Sequence, residues 1–329
     1  MILNQIKKFF SFKNFEKLTV EKNGNVLIAF SRNHQIYTQE YYEYCLALLK
    51  AQLSTIESPC NVIFGPYEFN FKNDNPTIRI AFQIEHTLVK RGGRGSDVDN
   101  NEGCIPVIGS LDEKYLVRID SLAELRRADI IIDYSRTNIV NIKTSNRFPD
   151  LENKLFHLAP LLYEVPSTFE VDVKEDECIT QFGDINQPRR REFLKNLNKY
   201  VKSVNRSGVY RDVYKVYKRA NILLNIHQTP DHHTPEELRI LPALRSGCLV
   251  ISEESPLTKC ILYDRFVTWS TYSEIPQVAQ KVLADYESIY RKTIGSSFFK
   301  SRMKRMEKVN LLTAEKIAKK VNEIAAAAL

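Results

Sequence analysis

Residues 218–255 constrain the fold of this chain more than any other part of the sequence. Two short apolar runs, at 222–226 and 248–252, are typical of parallel strands that are covered on both faces. Between them, the pair Thr234-Pro235 predicts the start of a helix and Gly247 predicts its end. The segment is therefore predicted to form strand, helix and strand, which indicates an α/β protein whose ligands bind at the carboxyl ends of the strands.

The rest of the chain repeats this alternation in two halves. Residues 25–30, 60–65, 78–84 and 129–134 predict buried strands, and 38–55 predict a helix. The pattern restarts at 178–183, after the acidic and apolar-poor residues 166–177. A chain of 329 residues exceeds the usual size of a single core.

We therefore predict an α/β fold with two Rossmann-like domains facing a cleft. Residues 1–166 form the first domain, 167–177 the linker and 178–329 the second domain. The last helix is a candidate to cross back to the first domain. The glycine-rich and charged residues 90–104 are predicted to form a loop, which either faces the substrate or is a mobile insertion on the surface.

Composition narrows the functional classes. The formal net charge of +7 favours anionic ligands or surfaces without requiring nucleic acid. The six cysteines form no CxxC pair, which argues against a zinc site and a disulfide framework. We found neither an apolar run long enough to span a bilayer nor a signal peptide, so we expect a cytoplasmic protein. The basic and apolar segments 1–20 and 296–308 either pack on the domains or touch the inner face of a membrane.

A first candidate site follows the strand at 178–183. Gly183 and Asn186 precede Arg189 and Arg190, which stand where a helix is predicted to begin. Positive side chains in the first turn of a helix oppose its dipole unless an anion is bound there. These residues therefore predict a phosphate or diphosphate site, and the alternative is a set of solvated arginines on a surface helix.

A second candidate site lies within residues 218–255. Asn225 and His227 leave one strand, and Glu236 and Arg239 begin the next helix, so that together they could hold ribose hydroxyls. Helix capping is the alternative role for the acid. Polar residues that leave the following strand complete the predicted donor wall: Ser252 and Glu253. A metal is not expected, because the adjacent histidines at 232 and 233 have no third ligand at regular spacing.

Candidates for a general base come from the first half. Glu85 and His86 directly follow a predicted strand, whereas Asp97 and Asp99 lie in the glycine-rich loop. Each of these side chains could accept the proton of a hydroxyl nucleophile. The sequence provides no distances with which to choose among them.

At these residues the chain resembles glycosyltransferases of the GT-B fold. The donor-binding unit of these enzymes is similar to three segments of the second half: FGDINQPRRREFLKNL, ANILLNIH and EELRILPALRSGCLVISEES. Two segments of the first half match these enzymes more loosely: IAFQIEH and ADIIIDYSRTNI. The resemblance implies that Arg189 and Arg190 neutralise a donor diphosphate and that Glu236 or Arg239 contacts ribose or sugar. It also implies that the donor is bordered by two further residues, Ser252 and Glu253.

One departure from that family concerns the stereochemistry. Many retaining members carry two glutamates eight residues apart, and this chain has Thr234 and Pro242 at those positions. This departure tells against a retaining mechanism and against the usual ribose contact. It favours an inverting enzyme, which needs a base.

We accordingly expect a glycosyltransferase that needs neither a metal nor a cofactor. It would move a sugar from a UDP- or GDP-linked donor to a glycan, lipid-linked or protein acceptor. One alternative is a noncatalytic protein of the same fold that binds nucleotide sugars or glycans. The other alternative, a nucleic-acid-binding protein, has little support, because the basic residues are spread along the chain. The sequence leaves the sugar, the acceptor and the oligomeric state open.

Overall fold

The computed structural model describes residues 18–90, 92–93, 101–106, 114–119, 121–166 and 174–328, with the backbone alone for 101–106 and 114. Two of the candidate bases, Asp97 and Asp99, lie outside the described residues, as does most of segment 1–20.

Strands and helices alternate along the described chain. The strands are β1 Thr19–Asn23, β2 Val26–Phe30, β3 Cys60–Phe64, β4 Thr77–Gln83, β5 Leu88–Lys90, β6 Asn101–Pro106, β7 Lys114–Arg118, β8 Ile130–Asp133, β9 Leu155–His157, β10 Asp176–Thr180, β11 Ser203–Asn205, β12 Ala220–Asn225, β13 Leu249–Glu253 and β14 Val267–Ser270. The helices are α1 Gln39–Leu53, α2 Leu122–Arg127, α3 Arg136–Ser145, α4 Pro149–Glu152, α5 Pro188–Leu197, α6 Val213–Lys218, α7 Glu237–Arg245, α8 Ile275–Ala284, α9 Tyr286–Lys292 and α10 Ser297–Ala328.

The first half is built on a sheet with the order β1-β2-β3-β4-β8-β9. Strand β1 is antiparallel to β2, and the remaining neighbours are parallel. Alternate residues of β4 point to opposite faces of the sheet. Ile80 and Phe82 pack in the core that contains α1 and α10, whereas Ala81 packs with α2, α3 and α4. Helices therefore cover both faces, as buried parallel strands require.

A small antiparallel sheet, ordered β5-β7-β6, is inserted between β4 and β8. Residues 101–106 form its strand β6, so the prediction of a loop over 90–104 is wrong for that part. Pairing with β7 supplies the backbone hydrogen bonds, and the polar sequence does not reveal that partner. The second half contacts this small sheet, because Lys90 N–H donates to the Asp231 carbonyl at 2.8 Å and His233 N–H donates to the Leu88 carbonyl at 3.1 Å.

The second half is a parallel sheet with the order β11-β10-β12-β13-β14. This is a doubly wound order, in which the direction of winding reverses between β10 and β12. Ligands of such sheets bind outside the carboxyl ends of the strands at the reversal. The predicted class, two Rossmann-like α/β units facing a cleft, is confirmed, although the parallel strands of the first sheet lie in chain order and have no reversal.

Helix α7 begins later than predicted. Its first residue is Glu237, and the buried hydroxyl of Thr234 has no hydrogen-bond partner among the described residues. Thr234 therefore does not cap the helix, and the acids at 236 and 237 contact the first half instead. The predicted end is confirmed: Gly247 has φ 78°, a conformation that glycine adopts without strain, and Cys248 N–H donates to the Ala243 carbonyl at 3.0 Å.

Helix α10 spans 32 residues and packs on both halves. Phe299 and Met303 belong to the core of the second half, whereas Ile317 and Val321 belong to that of the first. Its contacts in the first half are with α1, β4 and β9. No helix in the described part of the chain is long and apolar enough to cross a membrane. Residues 176 and 177, which the sequence assigned to a linker, begin strand β10.

Candidate functional site

A cavity of about 780 Å³ lies between the carboxyl ends of the two sheets. The second half contributes Arg190, Arg206 and Arg239 to its wall, and the first half contributes Glu85 and Tyr37. Cavities of roughly 300–1,000 Å³ are typical of sites for small ligands and cofactors. One wall is therefore cationic, and the facing wall offers a carboxylate and an aromatic ring.

Arg190 is the most deeply buried cation of this wall, with 6% of its surface exposed. Its Nη1 donates to the Asp184 carbonyl at 3.2 Å, and its Nε has no hydrogen-bond partner among the described residues. Burial and the positive charge of Arg239 lower the pKa of Arg190. Two neighbouring guanidinium groups in one wall favour the binding of an anion between them.

The three successive arginines of α5 have different environments. Arg189 donates to the His227 carbonyl at 2.6 Å, forms an ion pair with Glu253 at 2.5 Å and stacks over the Tyr272 ring at 4.0 Å. These contacts tie α5 to the ends of β12, β13 and β14, and Arg189 does not line the cavity. Arg191 is exposed. Of the three, only Arg190 reaches the cavity wall.

Glu236 connects the two halves at the cavity. Its Oε1 lies 3.0 Å from His86 Nε2, and its Oε2 lies 3.7 Å from Arg239 Nη2. Burial alone would raise the pKa of Glu236, but Arg239 and then His86 outweigh it and lower that pKa. For His86 the effects have the opposite sign: burial alone would lower its pKa, but the charge of Glu236 raises that pKa instead. The pair therefore favours a carboxylate bound to an imidazolium.

The remaining polar residues of the predicted donor site lie behind this wall. Arg239 Nη1 donates to Asn225 Oδ1 at 3.3 Å, and Asn225 Nδ2 donates to Ser252 Oγ at 2.9 Å. His227 N–H donates to Glu253 Oε2 at 2.8 Å. Burial, followed by His233 and His86, lowers the pKa of His227 well below its usual value. These groups position the arginines and do not themselves line the cavity.

The structure thus divides the predicted site residues into three groups. Those that line the cavity are Gly183, Arg190, Glu236, Arg239 and Glu85. Those that lie behind its wall are Arg189, Asn225, His227, Ser252, Glu253 and His86. Asn186 is exposed, with its N–H bonded to Asp184 Oδ1 at 2.9 Å, and it does not line the cavity; Asp97 and Asp99 are outside the described residues.

Sequence reasoning missed two parts of the wall. Arg206 follows β11 directly and pairs bidentately with Asp176, with the shortest distance 2.6 Å. Its place at a strand end was a signal that could have identified it. Tyr37 and Tyr210 meet edge to face across the halves, with ring centroids 4.5 Å apart. No sequence pattern relates these two tyrosines, because they are distant in the chain.

A second acid of α7 docks into the first half beside the cavity. Glu237 is 1% exposed and accepts a hydrogen bond from Ser135 Oγ at 2.8 Å. Burial raises the pKa of Glu237 to about 8. Burial also raises the pKa of the neighbouring Asp133, which accepts hydrogen bonds from Ser135 N–H and Asn138 Nδ2. The adjacent carboxyls of Glu236 and Glu237 therefore differ in ionisation: the first is charged and the second holds a proton near neutral pH.

No group of three or more His, Cys, Asp or Glu side chains within the described residues could hold a metal ion. The ring centroids of His86 and His232 are 6.1 Å apart, and those of His227 and His233 are 5.3 Å apart. These four rings pack near one another at the junction of the two halves.

The chain is similar in sequence to a viral protein. The chain is 30% identical over 222 residues to the uncharacterized protein R358 of Acanthamoeba polyphaga mimivirus. The alignment covers 62% of this chain and 74% of that protein. The chain belongs to the family of that mimivirus protein. No protein-family model matches it.

Several solved structures are similar at a low level. The GtfA/B complex has a TM-score of 0.41 at 6% identity, over 88% of this chain and 59% of that chain. The structure of an α1,3-fucosyltransferase with GDP-fucose has a TM-score of 0.39 at 10% identity, over 77% of this chain and 80% of that chain. The structure of CalG4, the calicheamicin glycosyltransferase, has a TM-score of 0.35 at 11% identity, over 90% of this chain and 80% of that chain. TM-scores below 0.5 do not establish a shared fold, so the fold assignment rests on the strand topology of the chain itself.

Proposed function

We propose that this protein is a glycosyltransferase that moves a sugar from a nucleotide diphosphate sugar to an acceptor hydroxyl. The observation that carries the proposal is the pair of neighbouring cations, Arg190 and Arg239, in the wall of a cavity of about 780 Å³ at the winding reversal of a parallel sheet. Glu236 Oε2 lies 3.7 Å from Arg239 Nη2, and a diphosphate would supply negative charge beside the second guanidinium, that of Arg190. A cavity of this size accommodates a nucleotide sugar.

The arginines would act on the leaving group. When the bond between the sugar and the diphosphate breaks, the electron pair remains on the phosphate oxygen, and negative charge grows there. Arg190 and Arg239 would stabilise that charge, and the hydrogen bond from Arg239 to Asn225 preorganises the site. We propose that these side chains take the place of a metal ion.

The acceptor needs a base if the reaction inverts the configuration of the sugar. Of the candidates, Glu85 lines the cavity, and it belongs to the first half of the chain. His86 is a weaker candidate, because its contact with Glu236 raises its pKa and so disfavours the neutral ring that a base requires. We therefore propose that Glu85 takes the proton of the acceptor hydroxyl, and that His86 positions Glu236. Asp97 and Asp99 remain predictions.

The same proposal assigns the acceptor to residues 1–166 and the nucleotide to residues 178–329. The donor would be linked to UDP or GDP, and the acceptor would be a glycan, a lipid-linked sugar or a protein. Pro242 supports the inverting course, because it lines the cavity without a carboxylate. The reaction would take place in the cytoplasm.

Calorimetric titration with UDP, GDP and CMP, and with their sugars including GDP-fucose, tests the nucleotide site. Each charge-assisted hydrogen bond contributes about 1.5–3 kcal/mol, so Arg190→Ala and Arg239→Ala should each weaken diphosphate binding roughly 10- to 100-fold. Arg191→Ala is the matched control, since Arg191 is exposed in the same helix and should bind as the unaltered protein does. Equal losses in Arg190→Ala and Arg191→Ala would contradict the assignment.

A noncatalytic sugar-binding protein of the same fold is the alternative. Release of the nucleoside diphosphate with a panel of donors and acceptors separates the two, and Glu85→Gln should abolish release while leaving donor affinity unchanged. Binding of a nucleotide sugar without release for every acceptor tried would favour the alternative.

A further inference from the structure

The outer face of α10 carries an unusual combination of side chains. At about 100° per residue, the exposed positions between Phe298 and Lys319 fall within a single arc of about 160°. The opposite face packs into both cores, through residues such as Met303 and Val321. The helix is 32 residues long, roughly 48 Å, so its outer face is one continuous rigid strip along both halves.

Cations dominate this strip. Its exposed cations are Lys304, Arg305, Lys308, Lys316 and Lys319, and its exposed acids are Glu315 and Glu323. Glu323 lies 4.0 Å from Lys319. The strip therefore carries an excess of positive charge. This excess is concentrated on one helix face, whereas the net charge of +7 belongs to all 329 residues. Lysines concentrated on one exposed side of a helix attract an extended anionic surface.

Large apolar side chains are exposed between these cations. Leu311 and Leu312 are 45% and 44% exposed, Phe298 is 45% exposed and Val309 is 36% exposed. Single exposed apolar residues are common on protein surfaces, but these lie on the same arc as the lysines. Burial of an aliphatic side chain in the boundary between headgroups and acyl chains is favourable, whereas a nucleic-acid backbone offers no such environment.

We propose that the outer face of α10 binds the surface of an anionic lipid bilayer. Lys304, Arg305 and Lys308 would lie among the headgroups, and Leu311 and Leu312 would enter the boundary with the acyl chains. The protein would remain on the surface, since α10 is packed against both halves along its other side. This inference does not depend on the proposed transferase activity, because no residue of the strip lines the cavity.

Sedimentation of the full chain with lipid vesicles tests the proposal. We expect binding to phosphatidylcholine vesicles that contain about 30% phosphatidylserine, little binding to pure phosphatidylcholine, and a loss of binding as the salt concentration rises from about 0.1 M to about 0.5 M. Lys304→Gln with Lys308→Gln should weaken partitioning roughly 30-fold, at about 5-fold for each cation. Leu311→Gln with Leu312→Gln should weaken it roughly 10-fold.

The matched control is Lys195→Gln with Lys199→Gln, which removes the same charge from exposed positions at the end of α5 and beyond it. We expect this variant to bind as the unaltered protein does, and all variants to keep the same thermal unfolding temperature. Equal losses in the control and in the Lys304/Lys308 variant would overturn the proposal. It would also be overturned if the leucine variant bound normally, or if duplex DNA at the same salt concentration bound more tightly than the anionic vesicles.

Discussion

The buried carboxyl of Glu237 contributes to the pH dependence of the stability of this protein, and one substitution can remove that contribution. In the unfolded chain the carboxyl loses its proton above its ordinary pKa of 4.5, whereas in the folded protein it keeps the proton up to a pKa of about 8. Between these values the unfolded state binds fewer protons, so the free energy of unfolding falls by about 1.4 kcal/mol per pH unit. From roughly pH 5 to roughly pH 7 this group alone removes about 2.7 kcal/mol.

Glu237→Gln should therefore stabilise the protein at neutral and alkaline pH. Glutamine is uncharged at every pH and its amide oxygen can still accept the hydrogen bond from Ser135 Oγ, which the carboxyl accepts at 2.8 Å. Relative to the unaltered protein, the variant should gain about 2.7 kcal/mol between about pH 5 and about pH 7, or roughly 5–10 °C in unfolding temperature. Asp133 adds its own pH dependence to both proteins, so the difference between the two curves is the quantity to measure.

Thermal and urea unfolding of both proteins across this pH range measure that difference. Glu236→Gln is the matched control, because the neighbouring carboxyl has a lowered pKa and stabilises the folded state above its ordinary pKa. Glu236→Gln should therefore cost roughly 3 kcal/mol at neutral pH, through the loss of its contacts with His86 and Arg239. The cost should shrink only as the pH falls below the ordinary pKa of 4.5. Parallel curves for Glu237→Gln and the unaltered protein would refute a neutral buried Glu237.

Two further predictions concern α10 and the cysteines. Asn310 Oδ1 accepts a hydrogen bond from Ala159 N–H at 3.1 Å, and Asn310 Nδ2 donates to the Ala159 carbonyl and to Tyr44 Oη, each at 2.8 Å. Asn310→Ala should therefore lower the free energy of unfolding, measured by urea titration, by roughly 2–4 kcal/mol. A loss below about 1 kcal/mol would show that other hydrogen bonds replace these. Of the five cysteines whose surroundings the structure describes, only Cys260 is exposed, and burial raises the pKa of the Cys248 thiol to about 12. In Cys260→Ser the described cysteines should therefore react with Ellman's reagent only on unfolding, and fast labelling of Cys248 would contradict the burial.

The strands were the most predictable part of the fold. Apolar runs such as 60–65, 78–84 and 248–252 match β3, β4 and β13 within one or two residues, because a strand buried on both faces must be apolar throughout. Strand β6 and helix α3 were not identified. Their sequences are polar, and tertiary partners stabilise them: β6 pairs with β7, and α3 packs Ile142 in the core beside Leu122 and Phe148.

The candidate site was predictable in position but not in the roles of its residues. Strand ends and the start of α5 lie at the cavity, because parallel strands bring their carboxyl ends to one edge. The run of three arginines could not reveal that Arg189 pairs with Glu253, that Arg190 lines the cavity and that Arg191 is exposed. Successive helical residues point about 100° apart, so only the packing of the helix decides which of them faces a ligand.

The sequence by itself determined the alternation of buried strands and helices, and with it an α/β protein that has polar residues at its strand ends. Residues 218–255, read alone, indicated such a unit and a helix capped by Thr234. Only the tertiary structure decided that the helix begins at Glu237, that Glu236 reaches His86 in the other half and that Glu237 is buried against Ser135. The physical reason is that ionisation depends on burial and on charges brought close by folding, and neither quantity is a property of local sequence.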